Sequence, residues 1–367
     1  MDGGGGIAIE ALAIEEERRE RADGAFAPAS PPLMRADVFE QAQFAAGLED
    51  ALDLVERAWL IRDGAEHQCG GDGVEGRVSV GEVVCVGLFE LDGCRDLGGA
   101  GEGAADHVIG VNADSRPDWG NRNTSADLFH DAFVLFGFLS ACTKAIGFST
   151  QVLILAQRQA ALVAKQAACV DVLSGGRFRL GVGVGWNPEE FVALGEDFSN
   201  RGKRSAEQVE FMQALWAEPH VTFDGKWHKI NDAGINPLPK GGSIPVWFGG
   251  HEDVTLRRTA KWGDGWIMLA HPADDSALAA FATLREYTKA EGRDPGAMGL
   301  EIWASVGAGG RDDWRREFEF WRDAGVSHIT VNNSYDRGDH HQRIAGRSLS
   351  AHIEGIETYR RAVEDLL

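Results

Sequence analysis

The sequence predicts an α/β fold built on a parallel sheet of the kind found in βα-barrels. Two observations carry this prediction. An apolar-periodic helix over 162–173 ends at Gly175-Gly176, and a buried strand over 178–184 follows at once before the irregular loop 185–188. Strand-like and helix-like segments also alternate from about residue 131 to the end of the chain. That alternation favours parallel strands joined by right-handed crossovers.

Each element after residue 130 has its own local signal. Helical spacing of apolar residues, or a short apolar run bounded by Gly and Pro, assigns each segment. The predicted helices cover 131–143, 159–173, 203–216, 252–262, 274–291, 311–324 and 348–366. The predicted strands cover 146–154, 178–184, 244–249, 264–269, 299–305 and 327–332. An eight-stranded barrel therefore needs two more strands upstream.

One segment, 219–243, interrupts the alternation. It carries a two-residue Asp224-Gly225 turn between alternating segments, which is a strong hairpin signal, and Pro237 and Pro239 lead into the next strand. We interpret it as an insertion in a βα-loop. Such loops build the face of a barrel where sites lie, so the hairpin is either a wall of the site or a purely structural element.

Residues 1–105 do not continue this pattern. They are rich in glycine and acidic residues, with helical spacing only at 38–62, a short charged helix at 9–21 and a strand-like stretch at 78–91. We therefore predict two regions, a poorly patterned and partly disordered segment over 1–105 and a barrel domain over 106–367.

Composition excludes several classes of function. The net charge of −21 argues against binding to the phosphate backbone of nucleic acids. No apolar run is long enough to cross a membrane, and the acidic N-terminus lacks the basic and apolar regions of a signal peptide. We therefore predict a cytoplasmic protein without nucleic-acid or membrane partners. The five cysteines form no CxxC pair, and no metal site is predicted.

Three segments carry a resemblance to a known family: 164–191, 232–250 and 261–268. From about residue 106 to the C-terminus the chain resembles the bacterial luciferase-like family, which includes FMN-dependent monooxygenases and coenzyme F420-dependent oxidoreductases. The segment 232–250 is most similar to the probable F420-dependent subgroup. The resemblance implies a TIM-type (β/α)8 barrel. The family's usual βαβ opening is not found before residue 106, which implies incomplete or irregular first strands.

The resemblance also implies site residues at strand ends. His107, after Asp106, resembles a position that lies over the cofactor ring and assists proton or hydride movement, chemistry that suits an imidazole. Gln151, Val152 and Leu153 resemble the place of a non-proline cis peptide against the centre of that ring, although Gln151 stands where Gly or Ser is usual. The alternatives are a packed histidine and an ordinary buried strand.

Gly185, Trp186 and Asn187 would form a wall beside the ring or its ribityl chain. The glycine run at 181–185 is not a dinucleotide fingerprint, because residue 186 is Trp where the third glycine is required. Trp186 also stands where some F420-dependent dehydrogenases have an acidic catalytic residue. An acid-assisted mechanism is therefore not supported.

The segment 248–253 ends a strand and begins a helix, whose N-terminus offers free N–H groups to an anion. The resemblance implies that Gly249, Gly250 and His251 hold the cofactor phosphate there. Glu252 and Asp253 place carboxylates beside that phosphate, and the alternative is that Asp253 simply caps the helix.

Three functions are consistent with these residues. The favoured one is an oxidoreductase that uses F420 for hydride transfer with a small organic substrate, with His107 handling the proton. The second is an FMN-dependent monooxygenase that uses reduced flavin and O2. The third is a non-catalytic or degenerate barrel with a damaged N-terminus. An enzyme of this family would have a flavin or F420 reductase as a partner, and dimers are common in the family, so a homodimer is also expected.

Overall fold

The computed structural model describes residues 87–90, 101–119, 123–127, 129–346 and 348–367. The helices predicted at 9–21 and 38–62 lie outside these residues. The strands are β1 Gly87–Glu90, β2 Gly101–Ala104, β3 Gly147–Thr150, β4 Leu153–Ile154, β5 Phe178–Gly183, β6 Val221–Asp224, β7 Lys229–Ala233, β8 Val246–Gly249, β9 Gly265–Ala270, β10 Gly299–Ala304 and β11 His328–Val331. The α-helices are α1 Ala132–Cys142, α2 Ala160–Ser174, α3 Pro188–Ala193, α4 Arg201–Ala217, α5 Asp253–Trp262, α6 Asp275–Ala290, α7 Arg311–Asp323 and α8 Leu349–Val363.

The main sheet confirms the predicted α/β fold of the TIM type. Its strands follow the order β1-β11-β10-β9-β8-β5-β3-β2, and β4 continues the line of β3 beside β5. Neighbours from β2 round to β11 are parallel, whereas β1 runs antiparallel to β11. The described sheet thus has eight positions. Its first strand is irregular in direction, as the resemblance implied.

Strand β2 was not predicted from the sequence. Its residues, GEGA, have neither apolar alternation nor β-branched side chains, yet they pair in register with β3 from Gly101 opposite Gly147 to Ala104 opposite Thr150. Backbone pairing to the neighbouring strand therefore overrides a weak local preference. The described sheet begins upstream of residue 106, and the boundary between the two predicted regions stays a prediction.

The hairpin is confirmed, but it follows α4 and precedes β8, so the predicted placement in a βα-loop is wrong and it lies in an αβ connection. The predicted two-residue turn is also wrong. Asp224 pairs with Lys229, so the turn contains the four residues 225–228. Glu207 on α4 explains the difference, because its carboxylate accepts the backbone N–H groups of Lys226, Trp227 and His228 at 2.7–2.8 Å. It also contacts His228 Nδ1 at 3.0 Å. A carboxylate on the barrel helix thus fixes the hairpin tip.

Apolar packing joins the second half of the sheet to its helices. The largest buried side chains of this cluster are Trp266, Phe281, Trp321 and Tyr359, drawn from β9, α6, α7 and α8. Burial of such side chains removes roughly 150–250 Å² each from water, so this layer dominates the stability of the half-barrel. Among the described helices, none combines the length and apolar character that crossing a membrane requires.

Candidate functional site

His107 follows the carboxyl end of β2 and is held by a carboxylate that sequence reasoning did not single out. Its Nδ1 lies 3.1 Å from Oε2 of Glu190, which α3 positions after the end of β5. Glu190 is almost completely buried and also accepts the Val108 N–H at 2.8 Å and the Gln157 amide at 3.2 Å. Nothing in the sequence links these residues, because 83 positions separate His107 from Glu190.

The environment of Glu190 fixes the tautomer of this histidine. Burial raises the pKa of Glu190, but the hydrogen bond and charge of His107, with the Val108 and Gln157 donors, outweigh burial and hold that pKa below its usual value. An ionised carboxylate only accepts, so His107 Nδ1 carries the proton. In the neutral imidazole Nε2 is then the acceptor, which suits it to take a proton from a ligand.

Aromatic side chains surround the imidazole. The Phe129 ring meets it edge-on with 4.8 Å between centroids, and Trp186 does so at 6.2 Å. Trp119 lies 5.5 Å from Trp186, and both follow strand ends of the barrel. Trp186 keeps 43% of its surface exposed, and its role as a wall of the site stays a prediction. Asn187, the other predicted wall residue, is instead fully buried and caps α3 through the Glu189 N–H.

Asp106 is buried in an ion pair. Its Oδ1 lies 2.7 Å from Nη2 of Arg158, and Oδ2 accepts the Ile154 N–H at 3.4 Å. Arg158 also contacts Asp131, the residue that caps α1. Burial raises the pKa of Asp106 despite the opposing charge of Arg158. The carboxylate therefore ties the His107 loop to α1, and a direct cofactor contact for it remains a prediction.

A non-proline cis peptide joins Gln151 to Val152, at the position the resemblance implied. The Gln151 side chain points into the barrel, where Nε2 donates to Glu301 and Oε1 accepts from Trp303 Nε1 at 3.3 Å. A glutamine can replace the usual small residue here because both polar atoms of its side-chain amide form hydrogen bonds with buried partners. Leu153 is fully buried in β4 and pairs with β5.

The glycines at the strand ends mostly accommodate protein atoms. A Cβ on Gly183 or Gly249 would lie 2.5 or 2.8 Å from methyl carbons of Val152, and one on Gly185 would meet Ile154 at 2.5 Å. The Cβ positions of these three glycines are therefore occupied by protein side chains, and contacts of Gly185 and Gly249 with a cofactor stay a prediction. The absence of a side chain at Gly183 and Gly249 leaves room for the methyl groups of Val152.

The N-terminus of α5 carries no side-chain cap. Glu252 occupies the N-cap position without a capping hydrogen bond, so the alternative that Asp253 caps the helix is wrong. Asp253 instead pairs with Arg257 on the next turn. Before it, Gly250 adopts φ 128°, and His251 Nε2 lies 2.8 Å from Arg337 Nη1. Burial, with the charges of Arg337 and His271, lowers the pKa of His251 to about 4.

A basic cleft of about 490 Å³ opens beside this helix end. It lies between the start of α4, the hairpin tip and the first turns of α5, and its cationic side chains are Arg201, Lys203, Lys226 and Arg258. Arg201 donates to the carbonyl oxygens of Gly185 and Phe198. Arg258 has no hydrogen bond or ion pair with any described residue. Burial and the charge of Arg201 lower its pKa, so an anion here would be stabilising.

The predicted site residues follow β2, β3, β5 and β8. The carboxyl ends of parallel strands lie at the same end of the barrel, so these residues lie at that end. The structure adds four residues that the sequence analysis missed: Glu190, Arg201, Arg258 and Arg337. Only Arg201 had a signal, as a basic residue just before a predicted helix start, whereas Arg258 stands in the middle of the predicted helix 252–262. Arg337 lies in a long loop after β11 and carried none.

Comparisons with known proteins agree with this architecture. The sequence model of the luciferase-like monooxygenase family matches residues 113–364. An uncharacterized protein of Mycobacterium tuberculosis is 37% identical over 172 residues, covering 46% of this chain and 59% of the relative. The pyrimidine monooxygenase RutA of Allorhizobium ampelinum is 31% identical over 177 residues, covering 46% and 47%. The chain spans only about half of these curated relatives.

Two solved structures are similar to this chain at lower sequence identity. An F420-dependent secondary alcohol dehydrogenase in complex with an F420-acetone adduct superposes with a TM-score of 0.49 and 20% identity, over 72% of this chain and 76% of the other. Monooxygenase RslO1 from Streptomyces bottropensis gives a TM-score of 0.48 and 17% identity, over 72% and 70%.

Proposed function

Because the chain belongs to the luciferase-like monooxygenase family, we propose that it is an oxidoreductase that uses coenzyme F420 to move a hydride to or from a small organic substrate. The observation that carries this proposal is the pairing of His107 with Glu190 at the carboxyl end of β2. It places a proton acceptor at the barrel mouth, on the same face as the basic cleft and the uncapped start of α5.

The residues present fit a flavin-type cofactor. The N–H groups at the start of α5 and the cation of Arg258 would hold its phosphate, with Arg201 beside them. The amide Nδ2 of Asn187 is buried without a partner among the described residues, so a donor is also free beside the Trp186 wall. When bound, F420 would supply a carbon centre that exchanges a hydride and reacts poorly with O2.

The protein's own contribution is orientation and proton handling. Glu190 holds the Nδ1 proton of His107, which leaves Nε2 to take the proton from a substrate hydroxyl or to return it. The Val152 side chain packs against Gly183 and Gly249 and would support the cofactor ring. Trp186 would limit the access of water from one side.

The charge of the cleft supports F420 over FMN. FMN ends in one phosphate, whereas F420 continues beyond its phosphodiester into a chain that carries carboxylates. The four cationic side chains of the cleft face one carboxylate, Glu252, and provide more positive charge than a single phosphate requires. FMN-dependent monooxygenation remains the alternative, since both cofactors share a phosphate and a flat ring.

Separate titrations of the full chain with F420 and with FMN, followed by absorbance and fluorescence, test this proposal. We expect F420 to bind more tightly. Tight FMN binding with NAD(P)H-coupled consumption of O2 would establish the monooxygenase instead. Binding of neither cofactor would favour a degenerate barrel. The reductase partner and the homodimer remain predictions.

A further inference from the structure

The His107–Glu190 pair lies within an apolar surface that the proton chemistry does not explain. Phe129 and Trp186 both present ring edges or faces to the imidazole, and Trp119 extends the surface beyond Trp186. Val108 and Ile109, directly after the histidine, are 44% and 39% exposed. Five apolar side chains thus surround one polar group at the open end of the sheet, the composition expected of a small-molecule pocket.

We propose that these side chains form a subsite for a flat, aromatic substrate body, whose hydroxyl group lies against His107. This inference rests on the proposed function and names its substrate class. A planar ring can stack on one indole while it meets the edge of a neighbouring ring, and such contacts add attraction beyond the area they bury. A puckered aliphatic ring of the same size buries similar area without that additional attraction.

The rim of the subsite selects against strongly charged bodies. Arg116 lies above Trp119 with 5.8 Å from its guanidinium carbon to the ring centroid, but Glu189 binds its Nη1 at 3.0 Å. The Arg116 guanidinium is therefore already paired with Glu189. It packs on the Trp119 indole and is not available to bind an anion. The free positive charge of this face lies instead in the basic cleft. The basic cleft is assigned to the anionic end of the cofactor, so the aromatic subsite is left for a neutral substrate body.

Two alcohols with the same carbon skeleton test this subsite. The full-chain protein is titrated with 2-naphthol and with decahydro-2-naphthol by calorimetry, in the absence of cofactor. We expect 2-naphthol to bind about tenfold more tightly, because each aromatic contact adds up to that factor. Trp186→Leu keeps an apolar side chain but removes the ring, and it should abolish the preference. Trp186→Phe should retain most of it.

A matched control separates the subsite from general affinity for aromatic compounds. Trp262, a partly exposed tryptophan at the end of α5, lies outside the subsite, and Trp262→Leu should leave both affinities unchanged. Equal binding of the two alcohols, or a preference that survives Trp186→Leu, overturns the proposal. Since no cofactor takes part, a Trp186-dependent preference would stand even if neither F420 nor FMN binds, so failure of the proposed function is recognised separately.

Discussion

Replacing Glu301 by glutamine tests the polar network that holds the barrel interior. Glu301 is fully buried on β10, and its Oε2 lies 2.5 Å from Arg179 Nη2 on β5. Its other oxygen accepts from Gln151 Nε2 and from Thr330 Oγ1, at 2.5 and 2.6 Å. The substitution keeps the shape of the side chain and removes its charge. Arg179 would then remain buried without a counter-ion.

The expected loss of stability follows from the buried, unpaired charge of Arg179. Breaking a buried ion pair by removing one partner costs about 3–5 kcal/mol, because the remaining charge keeps its desolvation penalty. The stacking of the Arg179 guanidinium on Trp247, at 4.1 Å, compensates part of it. We therefore expect Glu301→Gln to lower the free energy of unfolding by about 3 kcal/mol, a large share of the roughly 5–15 kcal/mol typical of a domain.

Urea unfolding followed by far-UV circular dichroism measures this loss. The double variant Glu301→Leu, Arg179→Met removes both charges and should recover most of the stability. Asp224→Asn, which breaks an ion pair exposed on the hairpin, is the matched control and should leave the unfolding midpoint unchanged. A loss below about 1 kcal/mol for Glu301→Gln, or a double variant no more stable than the single one, would refute the reasoning.

Three further perturbations have defined outcomes. Gly181→Ala places a Cβ 2.0 Å from the Thr150 carbonyl oxygen and should destabilise by about 3 kcal/mol or more, whereas Gly137→Ala in α1 meets no atom within 4 Å and should stabilise by about 0.5–1 kcal/mol in thermal unfolding. Burial lowers the pKa of His341 in the folded protein from 6.5 to about 4. Between these two pH values the unfolded chain binds a proton at His341 and the folded chain does not, so stability falls as the pH drops from 6.5 towards 4. His341→Gln should reduce the loss between pH 7 and pH 5 by about 2 kcal/mol in urea titrations, and an unchanged loss would contradict this. Glu207→Ala should speed hydrogen exchange of the amides at 226–228, while Glu210→Ala on the same helix should not.

The sequence was sufficient for the features that depend on local periodicity and turns. The helix that ends at Gly175 does so with φ 77°, and the amides of Gly175 and Gly176 bond back to Val172 and Asp171. The hairpin was recognisable from alternating segments around Asp224-Gly225. Its turn was not, because Glu207 from another element sets the turn length.

The features that sequence reasoning missed depend on contacts between distant elements. Strand β2, with the sequence GEGA, forms because its backbone pairs in register with β3. His107 was recognised by its resemblance to a family position. Its partner Glu190 lies on a helix of six residues, which is too short to show a helical pattern of apolar residues in the sequence. Arg337 carried no signal either, because it reaches His251 from a loop 86 residues further along the chain.

The affinity of the full chain for F420, compared between wild type and Arg258→Ala, tests the central claim most directly. The claim is that the barrel mouth binds a flavin-type cofactor by its anionic end. Arg258 faces the basic cleft, whereas its neighbour Arg257 pairs with Asp253 and provides the matched control Arg257→Ala. A charge-assisted hydrogen bond to phosphate contributes about 1.5–3 kcal/mol, or roughly ten- to a hundredfold in affinity. We predict that loss for Arg258→Ala and wild-type affinity for Arg257→Ala. Absence of F420 binding to the wild type, or equal affinities in all three proteins, would contradict the account.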